Sequence, residues 1–342
     1  MLTKELIQKF DTNKMCDAYD KWPEIARNCY ENDFPKLNLE KKIDNIIFVG
    51  MGGSGTVGDV ISSVLSKTNI HVSVTKGYVL PKTVDDNTLI VITSVSGNTD
   101  ENLTVLKNSI KTNAKTITFS SGGKLKELSN NNNIIHYEIP QFHSPRASFT
   151  SFLYTTLSVL DELLPIKKNE VEQSINFLEK TRLQISSSNL SNDNPSIKLA
   201  EWISDIPVIY YPCGLQAVAI RFKNSLQENA KTHVITEDVI EACHNGVVSW
   251  EGKQTVKPIL IQGTDDNIKT KERWKVFEEF FNSRNISFYR IVSLDGSIIS
   301  KITNMIYLLD YSSIYYAILN GVDPSPVNSI DYFKNRISSN IY

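Results

Sequence analysis

The sequence predicts an α/β protein of two doubly wound parallel-sheet domains in tandem. Short apolar runs of strand length alternate with segments that carry apolar residues at helical spacing, the pattern of a parallel sheet covered on both faces. The alternation stops at a polar stretch beyond the middle of the 342-residue chain and then starts again. A glycine-rich turn follows the first strand and opens a helix, as at the ligand-binding ends of such sheets.

Residues 1 to about 40 place Leu6, Ile7 and Phe10, then Trp22, Ile25 and Ala26, at helical spacing and read as one or two amphipathic helices leading into the core. Strands are predicted over 46–49, 72–74, 88–92, 115–119 and 134–137, with helices over 58–66 and 101–112 among them. Two helices fill 151–185. The breaker-rich run from Ser186 to Pro195 suits a junction, so the first domain with its N-terminal helices is 1–185 and the second, with C-terminal helices, is 195–342. The second half repeats the pattern: a strand over 207–211, the turn Pro212-Cys213-Gly214, a helix from Leu215, a strand over 257–261, a helix from Lys271 and a strand over 286–291. A helix over 300–319 and a short one after Pro326 close the chain. The halves share no obvious identity, so the repeat is one of architecture.

Lys plus Arg number 36 against 38 Asp plus Glu, a formal charge of -2, which supplies no electrostatic reason for a nucleic-acid or anionic-membrane partner. No stretch approaches the roughly 18 apolar residues of a membrane span, and Met1-Leu2-Thr3-Lys4-Glu5-Leu6 lacks the charged-then-apolar plan of a signal peptide, so a cytoplasmic protein is expected. Cys16, Cys29, Cys213 and Cys243 are scattered without C-x-x-C spacing and are expected to be buried free thiols rather than zinc ligands or disulfides.

Two loops carry chemistry. Gly50-Met51-Gly52-Gly53-Ser54-Gly55 fits G-x-G-x-x-G literally, but a dinucleotide site also wants an acid about 20 positions on, at the end of the second strand. Here that strand runs into Val74-Thr75-Lys76-Gly77, with no acid; Lys76 suits an extra phosphate, which leaves NADP open. The second loop, Ser94-Val95-Ser96-Gly97-Asn98-Thr99-Asp100-Glu101, precedes a helix and is rich in hydroxyls. A phosphate monoester needs donors around three oxygens, which free helix N–H groups, a favourable dipole and Ser or Thr side chains supply. Simple N-capping explains one such residue. The loop offers Ser94, Ser96, Asn98, Thr99 and Asp100 ahead of Glu101, which favours phosphate binding.

These two loops together resemble the sugar isomerase (SIS) domain, which binds phosphorylated sugars, and the resemblance implies two SIS-like domains in tandem. Ser144-Pro145-Arg146, Glu228-Asn229-Ala230-Lys231, Glu241-Ala242-Cys243-His244-Asn245 and the run Gly321-Val322-Asp323-Pro324-Ser325-Pro326-Val327 extend the resemblance, from about residue 46 to the C-terminus, to the bifunctional phosphoglucose/phosphomannose isomerase family. It implies interconversion of glucose 6-phosphate or mannose 6-phosphate with fructose 6-phosphate through an enediolate, without metal or organic cofactor, by a homodimer. By this resemblance Glu228 moves the proton between C1 and C2, and His244 assists ring opening from the other subunit. Arg146 lies near the sugar, and Gly52, Gly53, Ser54, Ser94, Ser96 and Thr99 hold the phosphate.

The residue types suit these roles. A partly buried carboxylate serves as base, a histidine shuttles protons near neutral pH, and a guanidinium stabilises charge on enediolate oxygens. Ordinary readings stand beside each: Glu228 as a helical partner of Lys231 at i+3, His244 as a structural histidine, Arg146 in a surface salt bridge. The chain departs from the family at one place. The resemblance expects a catalytic lysine on the late helix shortly before Gly321, but residues 311–317 contain none and Lys301 lies more than two turns earlier. Tyr315 is one candidate to replace it. A sensor that binds sugar phosphate without turnover, an isomerase of another phosphosugar, and a nucleotide-dependent oxidoreductase are the competing readings.

Overall fold

The computed structural model describes residues 2–39 and 41–339. Met1, Glu40 and 340–342, which the predicted domains include, lie outside the described residues. The N-terminal segment forms α1 (Lys4–Phe10), α2 (Met15–Asp20) and α3 (Trp22–Glu31). The first sheet follows: β1 (Asn45–Val49), α4 (Gly52–Leu65), β2 (His71–Thr75), β3 (Thr88–Thr93), α5 (Asp100–Ser109), β4 (Lys115–Ser120), α6 (Gly123–Asn131) and β5 (Ile135–Glu138). All pairings are parallel, in the order β2-β1-β3-β4-β5. β3 is buried along its whole length because helices cover both faces, which is why it reads as an unbroken apolar run.

Helices α7 (Phe149–Val159), α8 (Lys168–Ile185) and α9 (Pro195–Trp202) lead to the second sheet, made of β6 (Ile206–Tyr211), β7 (Ile235–Asp238), β8 (Val256–Gln262) and β9 (Tyr289–Val292). The intervening helices are α10 (Gln216–Ala230), α11 (Val239–Ala242) and α12 (Ile268–Ser283), and the parallel order is β7-β6-β8-β9. Two readings change here. β7, Ile235-Thr236-Glu237-Asp238, was not expected because a partly exposed edge strand needs no apolar face. The expected strand over 286–291 is shorter at its start. Asn285 takes a left-handed conformation and the Ile286 N–H returns to the Phe281 carbonyl to end α12, so it is not available to the ladder.

α13 (Ile298–Leu319) runs through the middle, packed on α8, α9 and α10, and α14 (Asn328–Ser339) ends the described chain. One apolar core takes in Ile46 and Phe48 of β1, Ile209 and Ile259 of the second sheet, and Ile306, Leu309 and Ile314 of α13, so the halves share an interior. The N-terminal helices join it. Trp22 is fully buried, stacks between Tyr19 and Tyr307 at centroid distances of 4.3 and 5.3 Å, and satisfies its N–H on the Ala147 carbonyl at 2.8 Å. Among the described residues no helix is long and apolar enough to cross a membrane.

Candidate active site

The first loop turns from β1 into α4 with almost no room. A Cβ on Gly50 would sit 2.9 Å from the Ser54 carbonyl carbon, and one on Gly55 would sit 2.7 Å from the Gly50 oxygen, so the glycine spacing is accounted for by helix and strand backbones in contact. Lys76 is engaged by Asp59 of α4 at 2.7 Å, so the end of β2 offers neither an acid for a ribose nor an unpaired cation for an extra phosphate.

β1 and β3 are neighbours at the point where the winding reverses, which brings the two loops together. The Val95 N–H donates to Ser54 Oγ at 3.3 Å. Thr99 is the N-cap residue of α5, yet no side chain caps that helix; the Thr99 hydroxyl instead lies 3.0 Å from Ser94 Oγ, and Ser94 is buried. Hydroxyls that serve each other and leave the first helical N–H groups open fit an anion seat better than a cap. Ser96 Oγ accepts from the Asn98 N–H at 3.3 Å. Gly97 has φ +68°, and a Cβ there would fall 1.9 Å from the Gly122 oxygen, so the turn after β4 presses the loop into shape.

Arg146 is buried, at 4% exposure, which removes the surface-salt-bridge reading. Its Nε donates to Asn229 Oδ1 at 2.7 Å, Nη2 to the carbonyls of Pro324 and Ser325 at 2.6 and 2.8 Å, and Nη1 to Glu228 Oε2 at 3.3 Å. Glu228 therefore pairs through its carboxylate with Arg146. Lys231 instead donates to the main-chain oxygen of Glu228 at 2.9 Å. The Glu228 side chain keeps 26% exposure, enough to meet a ligand. The glycine loop abuts the backbone of Arg146: a Cβ on Gly53 would lie 3.5 Å from Arg146 Cα and 3.2 Å from Arg221 Nη1.

Beneath lies a buried ion pair. Arg221 donates through Nη2 to Asp310 Oδ2 at 2.6 Å and to the Arg146 carbonyl at 2.7 Å. Asp310, fully buried in α13, also accepts from Ser225 Oγ at 2.6 Å and from the Tyr19 hydroxyl at 3.1 Å. Burial, reinforced by the Asp310 charge, pushes the Tyr19 phenol well up, so it remains a neutral donor. Asn229, Arg221 and Asp310 were not singled out from sequence. The available signal for Asp310 was a lone acid within an apolar helix, which needs a buried partner.

His244 follows α11 and is exposed; among the described residues its ring makes no hydrogen bond, so within one chain nothing ties it to Glu228. Tyr315, the candidate to replace the late lysine, is turned away from Glu228, and Lys301 is likewise engaged elsewhere. Tyr315 is buried and donates to the Ile185 carbonyl at 2.6 Å, and Lys301 pairs with Asp265. All four cysteines are free, but only Cys16 and Cys29 are buried; Cys213 lies exposed in the turn after β6 and Cys243 is half-buried, because the ends of these elements reach the surface.

Residues 39–164 match the SIS domain family model, and residues 192–337 match the bacterial phospho-glucose isomerase C-terminal SIS domain. A bifunctional phosphoglucose/phosphomannose isomerase from Pyrobaculum calidifontis is 32% identical over 294 residues, covering 84% of this chain and 86% of that protein. The chain belongs to the bifunctional phosphoglucose/phosphomannose isomerase family. Another member, from Caldicellulosiruptor bescii, is 29% identical and covers 95% of this chain and 99% of its own length. In fold this family member is similar to the C-terminal domain of glucosamine-fructose-6-phosphate aminotransferase from Francisella tularensis, with a TM-score of 0.69, 16% identity, and coverage of 92% of this chain and 98% of that one.

Proposed function

We infer that this protein is a phosphosugar isomerase that interconverts glucose 6-phosphate and mannose 6-phosphate with fructose 6-phosphate. The observation that carries the reading is the Arg146–Glu228 pair, 3.3 Å apart at the edge of the glycine loop, in a chain of this family. Gly52, Gly53, Ser54, Ser94, Ser96 and Thr99 seat the phosphate on open N–H groups and hydroxyls. Glu228 removes the proton beside the carbonyl carbon and returns it to the neighbouring carbon, so no net proton is lost. The charge that develops on the enediolate oxygens falls to the Arg146 guanidinium, whose opposite edge is already held by Asn229 and two carbonyls and so needs little reorganisation.

His244 is assigned ring opening from the second subunit of a homodimer; its exposed ring, which has no hydrogen bond among the described residues, supports a role outside its own chain. Exposed Ile330, Phe333 and Ile337, at helical spacing on α14, give apolar surface that suits a second copy. The domain limits 1–185 and 195–342 and a cytoplasmic setting belong to the same proposal.

A coupled assay of fructose 6-phosphate formation from each aldose phosphate, with EDTA present, tests the reading on wild type and Glu228→Gln. Turnover that is lost in the variant is expected. A folded protein that binds the sugar phosphates without turnover moves the reading to a sensor. For the shared site, Glu228→Gln and His244→Asn are mixed; random subunit exchange recovers roughly a quarter of the wild-type rate if the residues meet across the interface, and none if they do not.

A further inference from the structure

Arg146 is aimed by main-chain oxygens, and those oxygens need a support. Its Nη2 binds the carbonyls of Pro324 and Ser325, in a turn that follows α13 and belongs to no sheet or helix. The turn is closed internally by Asp323, whose Oδ1 accepts from the Ser325 N–H at 2.9 Å, and is tethered to the α1–α2 connection, where Thr12 donates to Asp323 Oδ2 at 2.5 Å. Its link to the Glu228 side of the site is Lys231. The ammonium spends three hydrogen bonds on three carbonyls: Glu228 at 2.9 Å, Asn229 at 3.1 Å and, across the chain, Asp323 at 2.9 Å.

The backbone says the same. Lys231 ends α10 in the left-handed conformation, φ 56° and ψ 35°, where glycine is the usual and unstrained choice. A lysine held there against its own backbone preference points to use of the side chain. Helix capping explains the bonds to Glu228 and Asn229 but not the one to Asp323. Three successive carbonyls, 323 to 325, thus accept from Lys231 and Arg146, and the turn lies between the two cations.

We propose that Lys231 is a positioning residue, an ammonium clip that holds the 323–325 turn on the end of the Glu228 helix and thereby fixes the Arg146 guanidinium against the Glu228 carboxylate. The proposal rests on the reading of Arg146 and Glu228 as the reacting pair. Among the described residues the Lys231 ammonium bonds to neither the glycine loop nor the hydroxyl loop, so its loss leaves the proposed phosphate seat in place. Its direct charged neighbours are Arg146, Asp323 and Glu228; although the residue reaches the surface, partial desolvation of its ammonium and the Arg146 charge hold its pKa below the ordinary lysine value, which fits a cation kept close to another cation by the carbonyls between them.

The test uses Lys231→Gly and Lys231→Met in the full-length protein. Glycine removes the clip and relieves the backbone, whereas methionine removes the charge and keeps the bulk. The expected result is a kcat lower by roughly 10- to 100-fold in both, with KM for the hexose phosphates within about twofold of wild type. Lys231→Gly is also expected to melt no lower than wild type, which a residue needed for stability alone would not allow. Wild-type kcat in Lys231→Gly overturns the proposal, as does a loss confined to one variant, since that reports backbone or volume rather than the ammonium. A second measurement separates this from the functional reading. The Arg146 Nε–H resonance, assigned by its loss in Arg146→Lys, is expected to exchange with solvent at least about tenfold faster in Lys231→Gly. Unchanged exchange overturns the clip whether or not the protein turns over sugar, and failure of Glu228→Gln to abolish turnover overturns the functional reading while leaving the exchange result to decide the clip.

Discussion

Replacing Asp310 by Asn leaves the Arg221 guanidinium buried without its counter-charge. Asp310 is 0% exposed and accepts hydrogen bonds from Arg221, Ser225 and Tyr19. Removing one partner of a buried ion pair costs about 3–5 kcal/mol, because the remaining charge keeps its desolvation penalty and loses its compensation. With an unfolding entropy of about 2.1 cal/mol/K per residue, a 342-residue chain has a slope near 0.7 kcal/mol per degree, and the expected fall in Tm is about 4–7 °C. Differential scanning calorimetry of wild type, Asp310→Asn and the double variant Arg221→Met with Asp310→Leu measures it. The double variant should regain part of the loss, since an apolar pair carries no buried charge, while Ser225, Tyr19 and the Arg146 carbonyl lose their partners. A Tm for Asp310→Asn within about 1 °C of wild type would show that the buried pair carries no such cost.

Glu228→Gln should keep the fold and lower kcat about 10²- to 10⁴-fold, the usual worth of a general base, as read in the coupled assay. Ser94→Ala should raise KM for fructose 6-phosphate roughly 10-fold or more with a smaller change in kcat, because it removes a hydroxyl of the anion seat and frees Thr99; an unchanged KM would argue against that seat. Gly97→Ala should fold poorly or lose hexose-phosphate binding, since the added methyl meets the Gly122 carbonyl. His136, bonded to Thr118 Oγ1 at 2.9 Å, has its pKa lowered by burial first, with Glu138 opposing and Lys126 assisting the shift. A folded pKa below the unfolded value of about 6.5 means that stability is full above that pH and is lost as pH falls below it. Urea midpoints of His136→Gln should depend less on pH between 7 and 5 than those of wild type; equal slopes would remove His136 from the account.

The glycine and hydroxyl loops were legible because their chemistry is local. A glycine spacing forced by backbone contact, and hydroxyls crowded before a helix, are visible within about ten residues of sequence. The parallel strands were legible for the same reason, because burial on both faces leaves unbroken apolar runs. β7 was not, since at a sheet edge nothing requires its side chains to be apolar. Arg146 and Glu228 were named through resemblance, and their surroundings were silent: Lys231 looked like an i+3 partner of Glu228, yet the carboxylate turned to Arg146, 82 positions away in sequence.

The doubly buried strands and the glycine and hydroxyl turns at the switch point were legible in the sequence, because each follows from periodicity or turn chemistry over short spans. Which charges meet was settled by packing. Arg146 with Glu228, Arg221 with Asp310, and Lys231 with the Asp323 carbonyl join segments far apart in sequence. A charge carries no mark of its partner along the chain. The shared apolar core sets these pairs by bringing α10, α13 and the 323–325 turn together, and desolvation then requires each buried charge to find its complement.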